Sequence, residues 1–538
     1  MSTAGELIRQ HKYQEIWQKY CGFIDLNVNE FSEIQRHMLL EQLRLLQDCE
    51  LGHRLLWGAK PSSVDEFRQK VPFTKYKDYI PYLLDKREDV LPEKPISWQR
   101  TSGRSGEYPC KWIPLTERLS KEVAGYAIAW GIFASSEKRG TCMVRDHDKM
   151  LYGMAPPPFA TGVLARCLED ELSGAIDMLP PWDKAEELEF QDRIKEAFSL
   201  ALTEGMDFAF AVSSIMVAIG ERFSQGANDV NLSTILSRPR AIPRLAKGLV
   251  KSKLAGRSLL PRDLWQLKGL MSAGMDTAIL REKIKYYWGK YPLEAYGSAE
   301  MLACALQTWD HKDMVFVPSI AFYEFITEEE RLTSARDKSY RPRTLLLHEL
   351  EVGQRYEIVF TSLLGGPFVR YRIGDMLEVT ALRNEELNIN LPQVAFYGRC
   401  DDIIDIGGFF RFTEKTLWQA IENTGIGYGV WTGRKEVHGN DPPILHLYIE
   451  LKRQDKTADE VKIAVHQSLK ELNKEWFEHW TDVEETLSWE LLRVTLLPEG
   501  AFARYLAEQQ AAGAELAHLK PPQINARDEI LNRLLKPS

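Results

Sequence analysis

The spacing of apolar positions divides the chain into a helical opening, a mixed middle and a β-rich second half. "FSEIQRHMLLEQLRLLQDCE", residues 31–50, places apolar residues three and four apart among good helix formers, and residues 5–60 read as helical throughout. "VDEFRQKVPFTKYKDYIPYLLDK" predicts a helix, a break at Pro72, and a second helix ending near Lys86. Residues 95–180 are mixed, with short strands in "PISWQ" and "PCKWIPL". Thr116 reads as an N-cap, and Glu117 stands in the first turn of a helix through "KEVAGYAIAWGIFA". Residues 186–290 read as mostly helical and amphipathic.

From residue 291 the period shortens to two. "DMVFVPSIAFYEFI", "RYEIVFTSLL" and "FVRYRIGDMLEVTAL" alternate as strands do. Beyond residue 399 the order is strand and turn, a helix over 413–423, the strand "PILHLYIEL", the helix "TADEVKIAVHQSLKELNKEW", the strand "LLRVTLLP" and a helical tail. That order fits a ferredoxin-like or similar small α+β domain. The expected fold class is therefore α/β, with a large N-terminal domain of mixed sheets and helices over 1–398 and a smaller C-terminal α+β domain over 399–538.

Composition narrows the picture. A length of 538 residues exceeds one ordinary core, while 44% apolar and 27% charged residues are usual for a globular protein. A net charge of −9 argues against bulk nucleic-acid affinity, which needs a basic footprint. It leaves room for a local anion site. One basic stretch, "RPRAIPRLAKGLVKSKLAGR" at 238–257, reads either as a solvated helix face or as an attraction for anionic partners. The seven cysteines are scattered and form no C-x-x-C, which suits free thiols in a reducing compartment better than a disulfide frame or a zinc site. The polar start "MSTAGELIRQHKYQEIW" has no signal-peptide core, and no apolar run is long enough to span a membrane, so a cytoplasmic protein is expected.

Common nucleotide and hydrolase fingerprints are missing. There is no P-loop, no G-x-G-x-x-G, no H-E-x-x-H and no G-x-S-x-G, and "GIGYG" at 425–429 has the wrong spacing. Four other stretches stand out: "TSGRSGE" at 101–107, "YPLEAYGSAE" at 291–300, "FVRYRIGDMLEV" at 368–379 and "FYGRCDDIIDIGG" at 396–408. Each has a plain and a chemical reading. The glycine loop is a hairpin turn or a phosphate cradle, since converging backbone N–H groups and hydroxyls suit an anion. Tyr296 is a packed aromatic or a ligand platform, and Glu300 starts a helix or binds a cation. Asp375 ends a strand at a glycine turn or accepts ligand hydrogen bonds, and Arg399 with Asp401 forms a surface pair or serves a site.

Taken in order, these stretches resemble the adenylate-forming superfamily of acyl- and aryl-CoA ligases, adenylation domains and luciferases. Within it the chain is most similar to the auxin-responsive Gretchen Hagen family of acyl acid amido synthetases. The likeness rests on "VPFTKYKDYIPYL", "FYEFI", "VGQRYEIVFTSLLGGPFVRYRIGD" and the closing "EGAFARYLAEQQAAGAELAHLKPP", and runs from about residue 67 to 522.

The resemblance implies a mobile small domain and a set of roles. Thr101, Ser102, Gly103, Ser105 and Gly106 would embrace the ATP phosphates, with Arg104 standing where relatives carry a small residue. Tyr296 would stack on adenine beside Gly297 and Ser298, and Glu300 would hold Mg²⁺, a hard cation suited to oxygen ligands. Asp375 would accept bonds from the ribose hydroxyls, Arg399 would lie near ribose or phosphate, and Asp401 would be the hinge. Lys520 would be the catalytic lysine of adenylation. Ala299 departs from the family's usual hydroxyl residue. The implied reaction consumes ATP with Mg²⁺ and joins a small carboxylic acid to an amine, foremost an amino acid, with no nucleic-acid or membrane partner and a monomeric state. Two alternatives stay open: a CoA ligase with a thiol acceptor, because "GRCDDIIDIGG" is as close to aryl-CoA ligases, and an impaired adenylate-binding protein, because of Arg104 and Ala299.

Overall fold

The computed structural model describes residues 2–101, 110–154, 156–188, 190–225, 239–273, 277–337, 339–400, 404–406, 410–436, 444–472, 490–511 and 521–536. The chain forms two compact units. The first comprises residues 1–373 and 377–396, and the second 374–376 and 397–538.

In the first unit, strands β1 (Pro95–Arg100) and β2 (Trp112–Thr116) form an antiparallel pair. The main sheet follows. Its strands are β3 (Asp148–Gly153), β4 (Ile176–Leu179), β5 (Phe208–Val212), β6 (Gly269–Ala273), β7 (Leu293–Ser298), β8 (Leu302–Gln307), β9 (Met314–Phe316), β10 (Ala321–Thr327), β11 (Arg355–Ser362), β12 (Tyr371–Ala381) and β13 (Gln393–Arg399). They lie in the order β10-β11-β12-β13-β9-β8-β7-β6-β5-β3-β4. From β4 to β7 the pairings are parallel, and from β7 through β8 to β9 and β13 they are antiparallel.

Residues 186–290 are mostly helical as expected, with helices Phe190–Glu204, Ser213–Gln225, Ile242–Leu254 and Thr277–Trp288, and strands β5 and β6 interrupt them. "FAFAV" and "GLMSA" are apolar on both faces rather than alternating, as central parallel strands between helical layers are, so periodicity alone does not separate them from buried helix. One of those covering helices is Glu117–Ser135. Its N-cap is Thr116, as expected: the Thr116 hydroxyl accepts the Leu119 N–H at 3.2 Å. Trp130 fixes the helix on the sheet, its indole N–H donating to the Leu293 carbonyl at 3.1 Å and its ring lying edge-on to Phe210.

The helix Val64–Lys70 stops before Pro72, since the residue preceding a proline avoids helical backbone. The expected second helix is reduced to a 3-10 turn at Tyr76–Asp78 and the four residues Ile80–Leu83. Tertiary pairing is the reason. Thr74 N–H donates to the Arg370 carbonyl at 3.0 Å and its own carbonyl accepts from Arg372 N–H at 2.9 Å, which holds this stretch extended. The Tyr79 hydroxyl accepts the Val369 N–H at 2.8 Å.

A buried ion pair crosses this region. Arg370 donates Nε to Glu324 Oε2 at 3.0 Å and Nη2 to Glu324 Oε1 at 2.7 Å. Its Nη1 donates to the carbonyls of Arg68 at 2.6 Å and Val71 at 2.7 Å, and its guanidinium lies over the Phe73 ring at 4.2 Å. Arg370 and Glu324 are 1% and 0% exposed, and such a pair is tolerated inside a core only when its remaining donors and acceptors are filled. Thr344 completes it by donating its hydroxyl to Glu324 Oε1 at 2.7 Å.

The second unit holds the hairpin β14 (Ile404–Ile406) and β15 (Phe410–Phe412). It also holds a sheet of β16 (Tyr428–Glu436), β17 (Ile444–Leu451) and β18 (Leu492–Leu496), antiparallel then parallel. The helix Glu414–Asn423 is capped by Thr413, whose hydroxyl accepts Thr416 N–H at 3.1 Å. The helices Ala458–Leu472, Ala501–Ala511 and Asp528–Leu534 follow, so the expected α+β texture is present.

On this sheet Glu436 accepts three side chains. Tyr448 donates its hydroxyl at 2.6 Å, Arg434 its Nε at 2.6 Å, and His446 lies with Nδ1 at 2.7 Å. Burial by itself raises the Glu436 carboxyl, but the three partners outweigh it and bring it down to about 2, against an ordinary 4.5. A carboxyl lower in the folded state than in the unfolded one contributes stability above pH 4.5, and that contribution is lost as pH falls toward 2. Urea unfolding of the second unit, followed by amide protection in β17, is expected to weaken over that window, and the loss should be shallower in Glu436→Gln. An identical pH profile in the variant would remove Glu436 as its source.

Candidate active site

The site in the first unit begins where the glycine-rich loop leaves the β1–β2 pair. Thr101 N–H donates to the Lys111 carbonyl, and the Lys111 N–H to the Thr101 hydroxyl, both at 3.0 Å, so the loop is closed at its base. Ser102, Gly103, Arg104, Ser105 and Gly106 lie outside the described residues. Strand β1 also reaches the second motif: Gln99 donates its amide to the Ala299 carbonyl at 2.7 Å.

Tyr296, Gly297 and Ser298 end β7. The register shifts between Tyr296 and Gly297, and a side chain at Gly297 would collide with the Leu302 carbonyl, so only glycine fits. Tyr296 is buried, its ring stacked on Phe396 with centroids 5.8 Å apart and planes at 28°. The Ser298 hydroxyl accepts the N–H groups of Glu300 at 3.2 Å and Met301 at 3.3 Å, which fixes the turn. Glu300 therefore sits in a tight β7–β8 turn and does not start a helix.

Lys111 meets Glu300 from the other side. Its ammonium donates to Glu300 Oε1 at 3.0 Å and to the Tyr371 hydroxyl at 3.0 Å, and both ends of the ion pair are buried. The rings of Tyr76 and Tyr371 flank the ammonium with centroids at 5.5 and 5.6 Å. Tyr76 is anchored to the same strand, since its hydroxyl accepts the Trp112 N–H at 2.7 Å. Sequence reasoning did not single out Lys111, Tyr76 or Tyr371. Lys111 stands five residues past Gly106 and Tyr371 four before Asp375, so position next to two motifs was the available signal.

Asp375, Arg399 and the stretch around them belong to the second unit. Asp375 does not end its strand. Gly374 takes a φ of +84°, a conformation glycine allows without strain, and β12 continues to Ala381. The Asp375 carboxylate is buried, with Arg399 Nε 3.7 Å from its Oδ1. Asp401 and Lys520 lie outside the described residues.

Among the described residues no cluster of three or more His, Cys, Asp or Glu side chains could hold a metal. Glu300 is a single buried carboxylate beside an ammonium. That donor set fits Mg²⁺ only as the cation is usually held with nucleotides, through one carboxylate, waters and the substrate phosphates.

Comparisons with known proteins bear on the fold. The fold is that of the adenylate-forming ligases. It is similar to a solved structure of the AtGH3.15 acyl acid amido synthetase in complex with 2,4-DB, with a TM-score of 0.66, 18% identity and coverage of 95% of this chain and 94% of that one. An open conformation of 2-hydroxyisobutyryl-CoA ligase aligns with a TM-score of 0.52 and 14% identity over 87% of this chain and 88% of that one.

Two family models match parts of the chain: the GH3 family N-terminal domain over residues 22–154 and the GH3 family central domain over 314–399. Among curated proteins it is 24% identical to a probable indole-3-acetic acid-amido synthetase, GH3.7, of Oryza sativa subsp. japonica, over 73% of this chain and 72% of that protein. It is 29% identical to the jasmonoyl–L-amino acid synthetase JAR4 of Nicotiana attenuata over 29% of this chain and 25% of that protein.

Lys111→Met leaves the Glu300 carboxylate buried without its ammonium and should cost about 3–5 kcal/mol of stability. Adding Glu300→Gln removes the stranded charge and should restore part of that loss. Urea denaturation of the two single variants and the double variant gives the coupling, and additive losses would show that the pair is not coupled.

Proposed function

We propose that the protein is an ATP-dependent acyl acid amido synthetase. The observation that carries this reading is the buried Glu300–Lys111 pair at the closed base of the glycine-rich loop, beside the stacked Tyr296. A loop suited to phosphates, an aromatic platform, one carboxylate and one ammonium fit a nucleoside triphosphate, and the curated relatives are named for amide synthesis.

In the proposed reaction a substrate carboxylate oxygen attacks the α-phosphorus of ATP, giving an acyl-adenylate and pyrophosphate. An amine, taken as an amino acid, then attacks the acyl carbon. The amide bond forms, the acyl–phosphate bond breaks, and AMP leaves. The chain supplies position and charge: held in line, the reactants avoid much of the entropic barrier, and fixed cations offset the charge gathering on the phosphates.

In this reading the first unit is the adenylation domain and the second the small domain. Thr101 with Ser102, Gly103, Ser105 and Gly106 holds phosphate, Tyr296 with Gly297 and Ser298 bounds the adenine, and Glu300 takes Mg²⁺. Asp375 and Arg399 serve the ribose, Asp401 is the hinge, and Lys520 supplies a cation for adenylation. Mg²⁺ would contribute neutralisation of phosphate charge. A cytoplasmic, monomeric protein acting on small molecules completes the proposal; among the described residues no helix is long and apolar enough to cross a membrane.

The test is ATP consumption against crossed panels of carboxylic acids and amines, with mass analysis of products. Pyrophosphate, AMP and an amide are expected. A CoA thioester in place of the amide would move the protein to the ligase alternative, and no pyrophosphate with any acid would make it an impaired adenylate binder. Asp375→Ala should keep its fold and lose about 1.5–3 kcal/mol of ATP affinity for each ribose hydrogen bond removed, read by calorimetry. Unchanged affinity would refute the ribose role.

A further inference from the structure

The helix Ile242–Leu254 turns an apolar face to solvent. Ile242 and Leu249 are each 41% exposed, Val250 58% and Leu254 85%. At 3.6 residues per turn these positions, with Ala246, fall within an arc of about 140°. The opposite side is the one that packs: Leu245, Gly248 and Ser252 are buried, and Gly248 lies against Leu264 and Leu259. The outward apolar residues are therefore not a misplaced core stripe. The helix already has one, on its other side.

The charge around this face is of one sign. Residues 239–262 contain seven basic residues and no Asp or Glu, in a chain whose net charge is −9. Two of the seven are consumed internally, Arg244 on the carbonyls of Ala201 and Leu202 and Arg257 on Asp263. Lys247, Lys251 and Lys253 meet no carboxylate among the described residues. Lys247 and Lys251 follow one edge of the apolar arc, and Lys253 rises within it. Arg262 lies over the ring of half-exposed Tyr286 at 5.0 Å.

We propose that this face docks the protein on an anionic lipid surface. Apolar side chains at the centre with lysines along the border is the arrangement of a helix lying in a membrane interface: the side chains enter the acyl boundary while the lysine stems keep their ammonium groups at the headgroups. At about 20 Å the helix is too short to span a bilayer and long enough to lie in its plane. The remaining surface is acidic on balance, so an anionic membrane attracts this face and repels the rest, which fixes the orientation. The docking is independent of the proposed reaction.

The test is flotation of the full chain with vesicles of phosphatidylcholine alone or mixed with phosphatidylserine. Binding to the mixed vesicles only, weakening as salt is raised, is expected. Two double variants, Val250→Asp with Leu254→Asp and Lys247→Glu with Lys251→Glu, should each reduce the bound fraction at least about tenfold. Val250, Leu254 and Lys247 are exposed and Lys251 is half-buried at the surface, so near-ultraviolet circular dichroism should match the parent. No flotation, equal binding to neutral vesicles, or variants that bind as the parent does would each overturn the proposal. Capture of an acidic protein by this face with no vesicle binding would overturn the lipid assignment.

Discussion

The first unit is organised around a guanidinium that has no access to water. Every N–H of Arg370 must find an acceptor inside the protein, because an unmet one would cost more than the pair gains. Glu324 on β10 supplies both oxygens, the carbonyls of Arg68 and Val71 take two more, and the Thr344 hydroxyl accepts the last at 3.4 Å. Two consequences follow. The stretch after Pro72 is held extended against the entry to β12 instead of continuing as helix, and Arg370 itself adopts a φ of +42° that few non-glycine residues sustain without such support.

That constraint reaches the candidate site through one peptide bond. Tyr371 follows Arg370, and its hydroxyl is one of two groups that receive the Lys111 ammonium. Tyr76, which flanks the same ammonium, lies six residues past the helix end that Arg370 caps at Lys70. The carboxylate and ammonium at the base of the glycine loop are thus positioned by a core ion pair that touches neither. Hydrogen bonds fix both ends of this arrangement, from Ser298 in the β7–β8 turn and from Thr101 at the loop base.

How much of this was legible in the sequence differs by element. The N-cap at Thr116, the alternating strands after residue 291 and the helix–strand order after 399 were readable, because each is set by local chemistry or by a period of two or 3.6. Strands β5 and β6 were not, since burial on both faces erases the alternation that marks a strand. The ordered motifs pointed to an adenylate-forming fold, and the structural likeness supports it.

By itself the sequence determined which residues carry charge, which turns demand glycine, and which segments resemble a known family. Glu324 in "FYEFI" and Arg370 in "FVRYRIGD" were visible only as parts of two motifs. That they form one buried pair, that Lys111 answers Glu300, and that the helix Ile242–Leu254 turns Leu245 inward but Leu249, Val250 and Leu254 outward were decided by tertiary structure. The physical reason is common to all three. A side chain's partner is chosen by distance in space and by the cost of leaving a polar group unmet, and neither quantity is written in the local order of residues.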